Sequence, residues 1–414
     1  MALLLAAAAS CRGRSISYPD PVYDDGGNVR SDGGDGGDVA PVMTDVSVDN
    51  SAALADGRCV SGAFKRDGAC MCQASQPDVC GDVCTDLATD DANCGACGHS
   101  CGSTSPCVAG VCRPAPATIV AAAPGCVAID LDARGDVLHW ADAGRGTIMR
   151  LSPGGPPTIV ALGEKTPRMI TARGTTSFWI GGDGKQIRRV VLGQGPTTVA
   201  TSATDIHGLA VSDDASTVYY SAGTDIMRVA ADGGSSVVVV RDPRAQTGAL
   251  ALDGDRLGFL EAEYDYVWVA TLVEGQIAIC GEIVNDQIVN VSCKNVARGA
   301  PKFKEQLAMP PGRLVWAFHD RVVSGPSDPI GLPDNHQIGT VSSTITGLAA
   351  TPLFAYFSES DMTTRAGVVH LASLVEGFDQ IRLARGQNAP RAVTVGGDRV
   401  YWSTGDCAIM ATTR

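Results

Sequence analysis

The sequence predicts an all-β protein: a seven-bladed β-propeller, with a six-bladed ring as the alternative, behind a small disulfide-rich N-terminal module. Three observations support this prediction. A unit of about forty residues recurs from residue 126 to the C-terminus, which is typical of radial β-repeats. Glycine is abundant, with 49 residues, whereas aromatic residues make up 5% of the chain, and this composition favours turn-rich β structure. Ten of the 15 cysteines lie within residues 59–112.

Each repeat carries one aromatic residue at an equivalent place. These residues are Trp140, Trp179, Tyr220, Phe259, Trp316, Tyr356 and Trp402. One aromatic at a fixed strand position in every unit is what packing between blades requires, so we interpret them as core residues and not as a ligand site. The longest interval separates Phe259 from Trp316, and a six-bladed ring would make this fourth unit an insertion.

The first repeat shows the internal pattern of a unit. Apolar or alternating stretches at 127–129, 137–140, 147–151 and 158–161 are separated by turn-forming residues such as Gly154 and Gly155. Four short strands with turn signals every ~8–12 residues form one propeller blade. We therefore expect four strands in each unit.

The last repeat provides three strands before the chain ends at Arg414. The segment 118–121 has the pattern of a fourth strand, and we expect it to complete the last blade and close a ring over 117–414. Cys126 and Cys407 would then lie near the same closure. A disulfide between them is an expectation that requires Cα atoms within about 7 Å.

The extra length of the fourth repeat lies in residues 261–300. We expect Cys280 and Cys293 to pair across a hairpin that turns at Asn285 and Asp286. Loops also outgrow the repeat at 319–335 and 359–365. Because function on such scaffolds lies mostly in loops, a ligand is expected there or at the mouth of the central channel.

The cysteine-rich module at 59–113 has almost no apolar core, and its ten cysteines are Cys59, Cys70, Cys72, Cys80, Cys84, Cys94, Cys97, Cys101, Cys107 and Cys112. An even number of closely spaced cysteines indicates disulfides formed in an oxidising compartment. Ten cysteines predict five disulfides, and the spacing leaves their connectivity open. The alternative is a zinc or iron–sulfur site at Cys94, Cys97 and Cys101. A zinc ribbon has two cysteine pairs separated by a spacer, and this arrangement is missing from the module. Export would also oxidise the thiols, so disulfides are favoured.

The centre of this module resembles the stigma-specific cysteine-rich family. The matching residues are Cys84, Asp86 and Leu87, followed by Asn93, Cys94, Gly95, Cys97, Gly98 and Cys101, with Cys107, Gly110 and Cys112 after them. Similar modules occur in secreted proteins of myxobacteria and their relatives. The resemblance implies an extracytoplasmic module without a known catalytic activity.

Two second-strand segments of the ring resemble the signature of YWTD and NHL-type propellers. They are residues 138–142 (LHWAD) and 400–404 (VYWST). The resemblance implies the fold and a general capacity for binding, and no particular activity.

The chain begins with an apolar run at 2–9 followed by Cys11, which resembles a bacterial lipoprotein signal over residues 1–11. On that interpretation Cys11 becomes the acylated N-terminus, although Ala8 and the missing basic residues depart from the usual signal. The alternative is an uncleaved or unrelated apolar start. Residues 12–58 are rich in Gly and Asp and predict a disordered acidic linker.

Composition narrows the function classes. The net charge of −13 argues against nucleic acid as a partner, because phosphate binding needs a basic face. The six histidines are scattered, and no nucleophile elbow, phosphate loop or dinucleotide fingerprint stands in a supporting context, so no catalytic residue, cofactor or metal is predicted.

The sequence therefore predicts a non-catalytic, surface-tethered binding protein. We expect an extracytoplasmic monomer, held to a bacterial outer membrane by its lipid alone or secreted, that binds a protein, glycan or envelope ligand. The alternative is an extracytoplasmic hydrolase or lyase with a site in the channel. That needs polar residues converging from the first strands of several blades, and those strands are mostly apolar.

Overall fold

The computed structural model describes residues 54, 58–66, 69–122, 125–126, 129–241, 246–261, 266–280, 282–284, 287–289, 293–298, 306–318, 320–327, 335–361, 363–374 and 380–414. All of them belong to one compact unit, Asn50–Arg414. Their regular structure is entirely β, and none of them forms a helix suited to crossing a membrane. The predictions of a lipid signal ending at Cys11 and of a linker over 12–58 lie outside these residues, Leu54 and Arg58 excepted.

The cysteine-rich module consists of three two-stranded hairpins. Their strands are β1 (Ala63–Arg66), β2 (Ala69–Cys72), β3 (Asp78–Cys80), β4 (Val83–Thr85), β5 (Cys107–Val108) and β6 (Val111–Cys112). Five disulfides join Cys59 to Cys70, Cys72 to Cys84, Cys80 to Cys97, Cys94 to Cys107 and Cys101 to Cys112. A module this polar and short needs such bonds, because its apolar interior is too small to hold it together.

The ring contains seven blades, which confirms the seven-bladed prediction over the six-bladed alternative. The first blade contains β8 (Ile129–Arg134), β9 (Val137–Asp142), β10 (Thr147–Leu151) and β11 (Thr158–Leu162). The second contains β12 (Arg168–Arg173), β13 (Thr176–Gly181), β14 (Gln186–Val191) and β15 (Thr197–Thr201). The third contains β16 (Leu209–Val211), β17 (Thr217–Ala222), β18 (Asp225–Ala230) and β19 (Val237–Arg241).

The fourth to sixth blades follow the same antiparallel order. The fourth blade contains β20 (Thr247–Asp253), β21 (Arg256–Glu261), β22 (Tyr266–Thr271) and β26 (Cys293–Arg298). The fifth contains β27 (Leu307–Ala308), β28 (Arg313–Phe318), β29 (Arg321–Pro326) and β30 (His336–Thr340). The sixth contains β31 (Thr344–Ala350), β32 (Phe354–Ser360), β33 (Ala366–Ser373) and β34 (Ile381–Asn388).

The seventh blade combines both ends of the ring, as the sequence predicts. Its strands are β35 (Val393–Gly396), β36 (Arg399–Ser403), β37 (Ile409–Thr413) and β7 (Ala117–Val120). Strand β7 lies antiparallel to β37, with Val120 opposite Ile409, and it begins one residue earlier than expected. Cys126 is bonded to Cys407, with their Cα atoms 6.2 Å apart.

The fourth repeat contains the hairpin and the disulfide expected between Cys280 and Cys293, and differs from the expectation in one added strand. The segment before Cys280 forms β23 (Ala278–Ile279), which pairs in parallel with β19 and adds a fifth strand to the third blade. A small hairpin of β24 (Glu282–Val284) and β25 (Gln287–Val289) follows. Cys280 is bonded to Cys293, so this disulfide links the outer strands of neighbouring blades. The open edge of β19 explains the difference, because its free backbone groups accept a partner.

The seven repeated aromatics are all buried between the blades. Two of the tryptophans among them, and Trp268 on the strand beside Phe259, place a polar atom against an internal partner. The indole nitrogens of Trp179, Trp268 and Trp402 donate hydrogen bonds to Glu164 at 3.1 Å, Glu261 at 2.7 Å and Gln387 at 3.1 Å. A buried indole N–H needs such an acceptor, and among the seven the indole nitrogen of Trp316 is buried without one. Burial between the blades gives all seven a packing role.

Candidate functional site

Polar side chains of the innermost strands tie neighbouring blades together. Asp130 and Asp132 of the first blade accept the N–H groups of Ile170 at 2.9 Å and Ala172 at 2.7 Å in the second. The same contact recurs at the ring closure and farther around the ring. Thr394 Oγ1 accepts the N–H of Ala133 at 3.1 Å, and Asp253 accepts that of Gly312 at 2.9 Å. These side chains hold the ring together instead of converging on a common point.

The carboxyl group of Asp132 is partly enclosed, with its side chain 17% exposed. Burial raises its pKa, while the charges of Arg134 and Arg173 and the N–H of Ala172 oppose that shift. Arg134 also donates to the carbonyl of Ala172 at 3.2 Å, and Arg173 donates to that of Val211 at 2.9 Å. The two arginines thus extend the ties from the first blade to the third.

His139 is buried between the first and second blades. Its Nδ1 lies 2.9 Å from Ser177 Oγ. Burial lowers the pKa of His139 to about 4, and the nearby charge of Arg150 adds to this shift. The imidazole is therefore neutral at pH 7, and its place in the interface between blades gives it a packing role.

Glu359 and His370 form the centre of a second buried network, in the sixth blade. Glu359 Oε1 lies 2.9 Å from His370 Nε2, and Oε2 accepts hydrogen bonds from the backbone N–H and hydroxyl groups of Ser342 and Ser343. The other imidazole nitrogen lies 2.8 Å from Gln380 Nε2. Both imidazole nitrogens have partners, so His370 holds protein groups in place.

The cysteine-rich module packs on the outer strand of the sixth blade. Asp91 of the module is 7% exposed and pairs with Arg385 at 2.8 Å and Arg382 at 3.2 Å, both on β34. The N–H of Arg385 also donates to the carbonyl of Thr104 at 3.4 Å. The module therefore covers a sheet edge that would otherwise present free backbone groups.

A groove lies between the seventh and first blades, beside the ring closure. Its volume is about 550 Å³, within the range of ligand cavities, and its lining residues come from both blades and from β7. They are Thr118, Ile119, Asp136, Leu138, Leu151, Ser152, Pro153, Gly154, Gly155, Pro157, Asp398, Arg399 and Tyr401. This groove is the candidate functional site, and we call it the closure groove.

The closure groove has an apolar floor and a charged rim. Leu138 and Tyr401 belong to a buried cluster, with half-buried Leu151 and Ile119 packed against it. At the rim, Asp136, Asp398 and Arg399 are exposed, and Arg399 Nε lies 3.9 Å from Asp398 Oδ1. The rim therefore carries more negative than positive charge beside an apolar surface.

The turns on the two sides of the rim pack tightly. Gly397 has a φ of +56°, which favours glycine, and a Cβ at this position would overlap the Asp136 carboxylate. Gly397 therefore lets the Asp136 side chain lie against the turn of the seventh blade, on the same rim as Asp398.

The structure places the expected sites as follows. All ten module cysteines are in disulfides, including Cys94, Cys101 and Cys112, whose sulfur atoms lie within 4.8 Å of one another, so these thiols are not available to zinc. The lipidation prediction at Cys11 lies outside the described residues, as does part of the 319–335 loop.

The closure groove was not predicted from the sequence. The one local signal is the unusually proline-rich turn at 152–157 (SPGGPP).

Comparison with known proteins shows the fold. A catalytically inactive virginiamycin B lyase from Staphylococcus aureus with quinupristin superposes with a TM-score of 0.57 at 10% identity, over 72% of this chain and 99% of that one. YCF48 bound to a D1 peptide superposes with a TM-score of 0.51 at 12% identity, over 71% of this chain and 96% of that one. The WD40 propeller domain of Doa1 superposes with a TM-score of 0.51 at 12% identity, over 71% of this chain and 94% of that one. No protein-family model and no curated protein matches the chain.

Proposed function

We propose that this chain is an extracytoplasmic binding protein without catalytic activity, and that its ring takes up a ligand in the closure groove. The observation that carries the proposal is the groove itself, which combines half-buried Ile119 and Leu151 and exposed prolines with exposed charged side chains at its rim. Such a combination of apolar area and a few polar groups is what a binding site needs.

The state of the inner strands supports binding over a hydrolase or lyase in the channel. A channel enzyme needs a carboxylate or imidazole that can reach a substrate. Asp130, Asp132 and Asp253 are instead engaged with the backbone of neighbouring blades, and His139 and His370 lie in buried internal contacts.

The disulfides support an extracytoplasmic location. Seven disulfides are described, five in the module and two in the ring, and such bonds persist in oxidising compartments. Tethering through an acylated Cys11 is part of the proposal, as the sequence pattern at residues 2–11 suggests.

Replacing Cys11 with alanine tests the tether. We expect Cys11→Ala to move the protein from the membrane pellet to the soluble fraction, because one lipid-modified residue would be its whole attachment. Fractionation and immunoblotting of the producing cells measure this, with Ser10→Ala as the control. Unchanged partitioning of Cys11→Ala would contradict lipid anchoring.

Filling the closure groove tests the binding site. Gly155 lines the groove and precedes a proline, and a Cβ there would meet only ordinary van der Waals contact. Gly155→Phe should therefore fold normally and obstruct the groove. We expect immobilised wild-type protein to retain a component of the producing cell's envelope extract that Gly155→Phe loses.

The second blade offers a matched control. Gly195 stands in the equivalent turn, also precedes a proline, and a Cβ there would meet open space. Gly195→Phe should retain the same component as the wild type. Retention that is identical for Gly155→Phe and Gly195→Phe would show that the closure groove is not the binding site.

A further inference from the structure

We propose that the closure groove takes an extended peptide segment in which apolar side chains alternate with basic ones. This inference rests on the proposed function and names the ligand class for the same groove. Three features of the groove carry it: the strand edge on one side, the acidic rim, and the apolar floor.

The strand edge favours an extended ligand. Strand β7 is the outermost strand of the seventh blade in the described part of the chain, and two of its residues, Thr118 and Ile119, line the groove. Ala117 and Thr118 are exposed. A strand with unpaired backbone groups on its outer side can accept a peptide as an additional strand.

The chain itself already uses this mode of pairing. In the third blade, β23 lies in parallel beside the outer strand β19, with Ala278 opposite Val240 and Ile279 opposite Arg241. The sixth blade likewise has its outer strand covered, by the cysteine-rich module. Outer strands of this ring thus accept added segments, and β7 is an outer strand whose residues line a groove.

The acidic rim selects basic side chains. Asp136 and Asp398 are held on the same rim by the packing of Asp136 against Gly397, and Arg399 is the single basic residue in the lining. A Lys or Arg side chain of the ligand would form charge-assisted hydrogen bonds with these carboxylates. An acidic ligand would meet net repulsion.

The apolar floor selects the alternate side chains. Leu138 and Tyr401 are already buried beneath the groove, and its accessible apolar surface comes from half-buried Leu151 and from exposed Pro153 and Pro157 on the side of the first blade. In an extended segment, successive side chains point to opposite sides, so residues that enter the floor alternate with residues that do not. Small or branched apolar side chains would bury surface there.

The test uses the full chain and labelled synthetic peptides in fluorescence anisotropy titrations. The probes are acetyl-KVKVKVK-amide, its acidic counterpart with Glu for Lys, and acetyl-KSKSKSK-amide, which lacks the apolar side chains. We expect the Lys–Val peptide to bind at least about tenfold more tightly than either of the others. The Asp136→Asn/Asp398→Asn double variant should weaken it by about tenfold, since the carboxylates are its partners.

Asp183→Asn/Asp320→Asn serves as the matched control, since it removes two exposed carboxylates remote from the groove lining. It should bind the Lys–Val peptide as the wild type does, and Gly155→Phe should abolish that binding. The ligand class would be overturned if the Glu–Val peptide or the Lys–Ser peptide bound as tightly as the Lys–Val peptide. It would also be overturned if the Asp136→Asn/Asp398→Asn variant bound the Lys–Val peptide with unchanged affinity. If Gly155→Phe still loses an envelope component while no basic peptide binds, the ligand class is wrong and the proposed function stands.

Discussion

Replacing both Cys126 and Cys407 with serine should lower the free energy of unfolding of the ring by about 5 kcal/mol. This disulfide joins residues 281 positions apart and so closes almost the whole ring. A bond that closes a long loop removes much conformational freedom from the unfolded chain. The pairing of strand β7 with β37 and the contact between Ala133 and Thr394 would then hold the closure. Chemical denaturation followed by the fluorescence of the buried tryptophans measures the loss.

The second disulfide of the ring is the matched control. Cys280 and Cys293 are 13 positions apart, so their replacement removes a much shorter loop constraint. The Cys280→Ser/Cys293→Ser variant should lose about 3 kcal/mol less than the Cys126→Ser/Cys407→Ser variant, from the logarithmic dependence on loop length. Equal losses in the two variants would contradict the view that the closing disulfide acts by constraining the ends of the ring.

The blade count and the closure could be predicted because both depend on local patterns. One aromatic per repeat at a fixed strand position follows from packing between blades, and Trp140 to Trp402 supply seven of them. The missing fourth strand of the last repeat and the extra strand before Cys126 are each visible in a few residues. These features need no knowledge of distant contacts.

Other features depend on contacts between residues far apart in sequence. Strand β23 has two residues, and nothing in Ala278 or Ile279 indicates that the third blade is their partner. Asp91 resembles the other acidic residues of its polar module, while its partners Arg382 and Arg385 are nearly three hundred positions away. The closure groove combines residues from both ends of the ring, so no single segment could reveal it.

Replacing Glu359 with glutamine should lower the free energy of unfolding at neutral pH by about 2–3 kcal/mol, because Glu359 is the acceptor for several buried donors. The side chain is 7% exposed and bonds to His370, Ser342 and Ser343. Glutamine keeps the shape and loses the charge, and its amide group would face donors with a donor. Thermal and denaturant unfolding of the full chain measure the loss.

The same carboxylate predicts a pH dependence with a definite sign. Burial would raise the pKa of Glu359, but the hydrogen bond and charge of His370 and the Ser343 donors outweigh it and hold the pKa at about 2, below the ordinary 4.5. A pKa lowered by folding contributes stability that is fully present above the unfolded value and is lost as pH falls through the folded one. The difference in stability between wild type and Glu359→Gln should therefore be largest above pH 5 and shrink toward pH 2.

Comparing the two proteins at each pH isolates Glu359 from the other carboxyl groups whose pKa is lowered, such as Asp361 and Asp406, because these are common to both. Glu274→Gln is the control, since Glu274 is exposed in a loop between strands and should leave the pH profile unchanged. A difference between wild type and Glu359→Gln that stays constant from pH 7 to pH 2 would mean that the new amide group, and not the lost charge, destabilises the sixth blade. A difference that shrinks on acidification would instead assign the effect to its negative charge among the His370 and serine donors.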